Sequence, residues 1–207
     1  MLKNAFEFYY EITKLKDMLR QGAIVWNVKK ERLESIAEHT FGCCILALSL
    51  QSELNLDINI DKVLKMMIIH EIEEICIGDV TPLDKIEKET LNNKAKEYVD
   101  NIVSNLKIKD ELITLTDEFN ETKTNDSLFA KAIDKLECVL EFKKYHDNGC
   151  VSLNSAPHLL SNPKLKPYLE DNKYDLADIF FIFNLEHYEK FGIDLDYWYN
   201  HLKNLKI

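Results

Sequence analysis

The chain has 207 residues and a mass of 24.2 kDa, long enough for one domain with a core of its own. Five Gly and four Pro, with 30% charged and 46% hydrophobic residues, exclude collagen-like, disordered and membrane-spanning sequence and favour an all-α fold. A formal charge of −10 and a pI near 5.1 argue against a nucleic acid polymer as partner, because phosphate neutralisation needs clustered Lys and Arg. A small phosphorylated ligand needs only a local cation, which a bound metal can supply.

The first predicted helix runs from Ala5 to Leu19, with Phe6, Tyr9, Tyr10, Ile12, Leu15, Met18 and Leu19 close to helical spacing. This amphipathic start stands in place of a secretory leader. The helix is expected to end near Arg20-Gln21-Gly22, with Gly22 at C′, before an irregular segment containing Trp26. A long helix then begins around Ser35 and carries Ile36, His39, Cys43, Leu46, Ala47 and Leu50 along one side, with Glu34 and Glu38 favourable at its start. Seen alone, His39 reads more readily as a hydrogen-bonded core histidine than as a ligand.

Lys62 to Ile77 reads as one buried helix around which the chain is organised, closing at Gly78-Asp79. On such a helix His70 and Glu74 lie one turn apart, with Glu71 placed to converge on an ion beside them. The competing account is an amphipathic helix with a solvated acidic face. After Pro82 the spacing Asp84-x-x-Glu87 predicts a capping box and a charged helix from Lys85 to Asn105, with Ile86 in its apolar stripe. Another helix is expected from Asp110 to about Glu121. Asn125-Asp126 then caps a helix through Phe142, where Asp134 sits so close to the apolar face that it must be paired with Lys131 or Lys135 or act as a ligand.

Tyr145 to Asp171 reads as loop with a helical turn near His158 to Leu160. Tyr174–Lys190 and Ile193–Leu205 are expected to form two aromatic-rich helices that either cover the core or make a homodimer. His146, His158, His187 and His201 lack ligand-like spacing. Cys43, Cys44, Cys76, Cys138 and Cys150 include no C-x-x-C pair and are read as buried thiols of a reducing, cytoplasmic protein.

His39, His70-Glu71 and Asp134 follow one another on separate helices, and their surroundings extend the pattern. Glu34-Ser35-Ile36-Ala37-Glu38-His39, Ile69-His70-Glu71 through Glu74, Ile77-Gly78-Asp79-Val80-Thr81-Pro82 and Ala132-Ile133-Asp134-Lys135-Leu136-Glu137 resemble the motifs of HD-domain phosphohydrolases, in their 5′-deoxynucleotidase-like branch. The resemblance covers about Leu15 to Tyr145 of a single 1–207 domain and leaves 146–207 as additional loop and helices. It implies a helical bundle and a metal-dependent enzyme that releases phosphate from deoxyribonucleoside 5′-monophosphates. It further implies His39, His70, Glu71 and Asp134 as metal ligands, Glu74 and Asp79 as catalytic acidic residues, and Arg20 and Trp26 as substrate-binding. Two departures stand out: Glu71 replaces the usual aspartate and is one methylene longer, and Ala23 follows Gly22 where relatives tend to carry an aromatic residue.

Two imidazoles and two carboxylates suit one divalent ion such as Mn, Fe, Co, Ni or Zn. Glu74 is placed to orient or deprotonate water; Asp79 either protonates the leaving oxygen or binds the sugar. The expected partner is a small nucleotide, with no membrane. The alternatives are a non-catalytic module that binds metal and nucleotide, or an HD hydrolase acting on another phosphorylated nucleotide.

Overall fold

The computed structural model describes residues 2–81, 84 and 87–205. Its helices are α1 Leu2–Ile12, α2 Gln21–Val25, α3 Ile36–Leu54, α4 Ile60–Ile69, α5 Glu74–Ile77, α6 Lys88–Val103, α7 Lys109–Glu121, α8 Asn125–Asp147, α9 Pro157–Leu160, α10 Lys166–Leu169, α11 Leu176–Phe183 and α12 Leu195–Tyr197. The all-α expectation holds, and no helix among the described residues is long and apolar enough to cross a membrane.

Helix α8 is the axis. It packs against α3, α4, α7 and α11, and buries Phe129, Ala130, Ile133, Leu136 and Val139. Its amphipathic pattern is weak because it buries Ser127, Asp134, Glu137 and Lys143 along with these apolar residues. One core lies between α3, α4, α7 and α8, around Cys43, Ala47, Met66, Met67, Ile72 and Phe129. A second gathers Trp26, Phe142, Leu176 and Ile179, and a third joins Leu136 and Val139 to Phe181, Tyr188 and Trp198.

The aromatic C-terminal segment therefore covers the core. Phe181 stacks on Trp198 with ring centroids 4.5 Å apart, and Trp198 Nε1 donates to the fully buried Asp178 at 2.9 Å. That carboxylate also takes Lys203, so the charge buried by this packing is paired. The two long helices expected here are instead α11, a pair of 3₁₀ turns and the short α12, which continues into a π turn at Trp198–Leu202.

Caps account for the helix starts. Ser35 and Glu38 form a capping box at α3, with Ser35 N donating to Glu38 Oε2 at 2.9 Å and Glu38 N donating to Ser35 Oγ at 3.3 Å. At α8 the cap is Thr124 with Ser127, one residue before the expected Asn125; Asp126 instead accepts from Asn59 N at 2.8 Å and pairs with Lys62.

Several boundaries differ from expectation. The first helix stops at Ile12 and gives way to a 3₁₀ turn at Thr13–Lys16, while Gly22 lies inside α2 and caps nothing. Asp84 does not cap α6, whose N-cap is Glu87; it accepts from Thr81 N at 2.6 Å and Thr81 Oγ1 at 2.8 Å. Pro82, Lys85 and Ile86 lie outside the described residues, and α6 is described from Lys88. The main correction is at the centre. The expected helix Lys62–Ile77 ends at Ile69, and His70 to Glu73 form a tight turn before α5.

Candidate metal centre

That break positions the site. With α4 ending, the Met67 carbonyl in its last turn accepts Nδ1–H of His70 at 2.7 Å, a use for one of the carbonyls a helix terminus leaves without an intrahelical donor. With Nδ1 engaged by this carbonyl, Nε2 is the ring nitrogen of His70 that faces the cluster, and this buried atom has no hydrogen-bond partner. Glu71 Oε1 lies 3.3 Å from it, out of line for a hydrogen bond.

His39, fully buried one turn into α3, is oriented differently: Nδ1 contacts the Glu137 carboxylate, and Nε2 lies 3.4 Å from Glu71 Oε1 and 3.4 Å from Asp134 Oδ1. One donor atom each from His39, His70, Glu71 and Asp134 all lie within 4.8 Å of one another, and all four residues are buried. The structure thus brings together the four residues that the resemblance implies as ligands. Burial opposes charge on both carboxylates, yet His70, His39 and Arg20 hold Glu71 well below its ordinary pKa, and Lys135, Lys131 and His39 do the same for Asp134.

His39 shows the other half of the balance. Burial and Arg20 push its pKa down, but the Asp134 carboxylate beside Nε2 is among the neighbours that hold it well above the ordinary value. The cluster therefore draws positive charge to its centre. An orphaned imidazole nitrogen, a second imidazole between two ionised carboxylates and a cluster favouring cations fit a divalent ion of the kind two N and two O donors hold. Cys43 Sγ lies 3.6 Å from His39 Nε2, but burial raises its pKa and keeps it a thiol, which is a poor ligand.

Asp134 is paired as one sequence reading expected, with its other oxygen left facing the cluster. Oδ1 faces His39, while Oδ2 pairs with Lys131 at 3.1 Å and Lys135 at 3.2 Å. Arg20 Nη1 lies 3.2 Å from Glu71 Oε1 and 3.4 Å from Asp79 Oδ2, and Asp79 also accepts from Gln21 N at 2.8 Å. The start of α3 and the Arg20 segment are stitched together: Arg20 N donates to Glu34 O at 3.0 Å and Ile36 N to Met18 O at 2.8 Å.

Glu74 stands at the start of α5 with a buried, unpartnered Oε2. Burial first, then the charges of Glu71 and Asp79, push its pKa up to about 10 against Arg20. Burial likewise raises Asp79, opposed by Arg20 and the Gln21 amide.

A cavity of about 200 Å³ is lined by Arg20, Asp79 and Lys135 and by Trp26, Phe142, Phe180, Phe183 and His158. Trp26 is mostly core, with its ring 4.2 Å from Phe142 and 4.9 Å from Phe180. Glu74 and Lys131 border a separate polar groove of about 710 Å³. Sequence reasoning missed Glu137, the part Lys135 plays in the cavity wall, and the aromatic wall supplied by the C-terminal third. Glu137 was findable, since it lies three residues after Asp134 on the same helix.

A helical bundle that gathers two imidazoles and two carboxylates in its interior has the architecture of an all-α protein with a site that could hold a metal ion. The HD domain family model matches residues 12–157, and the chain belongs to that family. Among curated proteins it is 30% identical over 180 residues to the 5′-deoxynucleotidase HDDC2 of Dictyostelium discoideum, covering 83% of this chain and 90% of that one. It is 28% identical over 171 residues to the 5′-deoxynucleotidase hdd1 of Schizosaccharomyces pombe, covering 77% and 84%. Among solved structures it resembles one described as a predicted metal-dependent phosphohydrolase from Magnetospirillum magnetotacticum MS-1, with 25% identity, a TM-score of 0.63, and 95% and 94% of the two chains covered.

Proposed function

We propose that the chain is a metal-dependent phosphohydrolase that releases phosphate from deoxyribonucleoside 5′-monophosphates. The observation that carries this reading is the convergence of His39, His70, Glu71 and Asp134 around the orphaned Nε2 of His70, beside an aromatic cavity that Arg20 and Lys135 line. The curated relatives named for this activity support it. His39, His70, Glu71 and Asp134 hold the ion; Mn, Fe, Co, Ni and Zn all suit such a donor set, and the bound ion supplies Lewis acidity and a nucleophilic water near neutral pH.

The protein side supplies binding and proton handling. Arg20 and Lys135 give an acidic chain the local positive charge a phosphate requires, and the ring edges of Trp26, Phe142 and Phe180 receive the nucleoside. Asp79 lines that cavity beside Arg20, where a carboxyl with a raised pKa meets the sugar and has a proton available for the leaving 5′ oxygen. Glu74 is held neutral mainly by burial and by the Glu71 charge. A cation held by Glu71 would offset the first of the two neighbouring charges that oppose its ionisation, and an ionised Glu74 would be the group that accepts a proton from water. Five free cysteines suit a reducing, cytoplasmic setting.

The test is phosphate release from a panel of nucleoside monophosphates, with metal content measured alongside. Glu74→Gln keeps side-chain size and removes the proton acceptor, so turnover falls by about 10² or more with metal content unchanged. Undiminished turnover removes Glu74 from the mechanism. A metal-loaded parent that turns over none of the panel is instead a binding module.

A further inference from the structure

Gly42 sits inside α3, where glycine weakens a helix relative to alanine. Its backbone does not require glycine, for the glycines with positive φ are Gly78, Gly149 and Gly192. What distinguishes Gly42 is its neighbour. A Cβ at this position would lie 2.4 Å from Glu137 Oε1, 3.0 Å from its Cδ and 3.1 Å from its Cγ, whereas at Gly22 it would make ordinary contact with Phe142 at 3.9 Å.

Glu137 is buried, and its other carboxylate oxygen, Oε2, accepts from Nδ1–H of His39. The space left by the missing methyl of Gly42 is therefore the space that lets an α8 carboxylate reach an α3 histidine. We propose that Gly42 and Glu137 are positioning residues for the metal centre: the gap at Gly42 admits the Glu137 carboxylate to Nδ1 of His39 and so fixes Nε2 toward Glu71 and Asp134. This rests on the reading of His39 as a metal ligand.

The physical reason is tautomer and orientation. A carboxylate at Nδ1 holds a proton there, so that the proton given up on metal binding is the one at Nε2, and it makes the imidazole a stronger donor than a neutral acceptor would. His70 obtains the same tautomer from the Met67 carbonyl, so the two histidines are set by different partners, one charged and one neutral. Adding a methyl at position 42 displaces the end of a flexible side chain, so the helix keeps its path and the contact with His39 is what is lost.

The experiment uses the full chain stripped of metal by chelator and titrated with Co²⁺, read by calorimetry and by Co²⁺ visible absorption, with urea unfolding of each metal-free variant. Gly42→Ala and Glu137→Leu are each expected to weaken Co²⁺ binding by about 10- to 100-fold. Glu137→Gln, whose amide oxygen accepts the same bond without the charge, loses less. The double variant Gly42→Ala/Glu137→Leu binds no more weakly than Glu137→Leu alone, because the methyl has nothing left to displace.

Parental Co²⁺ affinity in Gly42→Ala, or a loss that adds in full to that of Glu137→Leu, overturns the proposal. Glu137→Gln adds no volume, so it carries the test even where Gly42→Ala folds poorly; an affinity equal to the parent's in both Glu137 variants also overturns it. Failure of the underlying reading looks different: the parent takes up no Co²⁺, or Asp134→Asn binds it as tightly as the parent.

Discussion

Replacing Glu74 by Gln has a consequence for the metal-free protein that is separate from catalysis. The Glu74 carboxyl is lifted from an ordinary pKa of 4.5 to about 10, by burial first and then by the charges of Glu71 and Asp79. Between those values the folded chain keeps a proton that the unfolded chain has released, so stability falls as pH rises, by about 1.4 kcal/mol per pH unit. The stabilisation is complete below 4.5 and is lost progressively until the pH passes about 10. By pH 7 roughly 3 kcal/mol has gone.

Glutamine carries no such dependence and fills nearly the same volume. Metal-free Glu74→Gln and parent are therefore expected to differ by less than about 1 kcal/mol near pH 5, and the variant to be more stable by about 3 kcal/mol at pH 7. Glu34, which burial and the Glu137 charge push up to about 8, adds its own slope to both proteins and cancels in the difference. Urea unfolding across this range in the presence of chelator measures it. Parallel stability curves for the two proteins would refute the argument that buried Glu74 is held neutral.

Two other substitutions probe the centre and the cavity wall. Glu71→Asp withdraws the carboxylate by one methylene from positions 3.3 Å and 3.4 Å from the two histidines and 3.2 Å from Arg20, so metal affinity or selectivity changes while the overall fold is kept; calorimetric titration with several divalent ions reads this directly. Trp26→Ala removes a ring that is 3% exposed and packed on Phe142, and is expected to cost about 3–5 kcal/mol in urea unfolding and to raise KM for nucleotide.

The parts of the fold written in local chemistry were legible in the sequence. The α3 start near Ser35, with Glu38 favourable there, and the span of α7 follow from capping, charge and apolar spacing that need only neighbouring residues. The break after Ile69 was not legible, because Met66-Met67-Ile68-Ile69-His70 and the residues beyond it keep a helical pattern without proline or glycine. What ends the helix there is tertiary: His70 and Glu71 turn toward His39 and Arg20, which come from elsewhere in the chain. At α8, Thr124 outcompeted Asn125 by sharing its cap with Ser127, a choice that adjacent polar residues leave nearly balanced. The four candidate ligands were nameable from motif order and Arg20 from the family resemblance; the walls of the cavity were not, since Phe180 and Phe183 reach it from α11, far along the chain.

The proposed donors also leave the ribosome in sequence order. His39, His70 and Glu71 emerge well before Asp134, which arrives with α8, the helix against which α3 and α4 both pack. A nascent chain that has not yet extruded α8 offers an incomplete donor set and lacks the surface that buries it, since domains fold as units. On the proposed ligand set, loading of the centre follows synthesis of the bundle's axis, and a ribosome stalled before Asp134 presents the two histidines without the helix that completes their cluster.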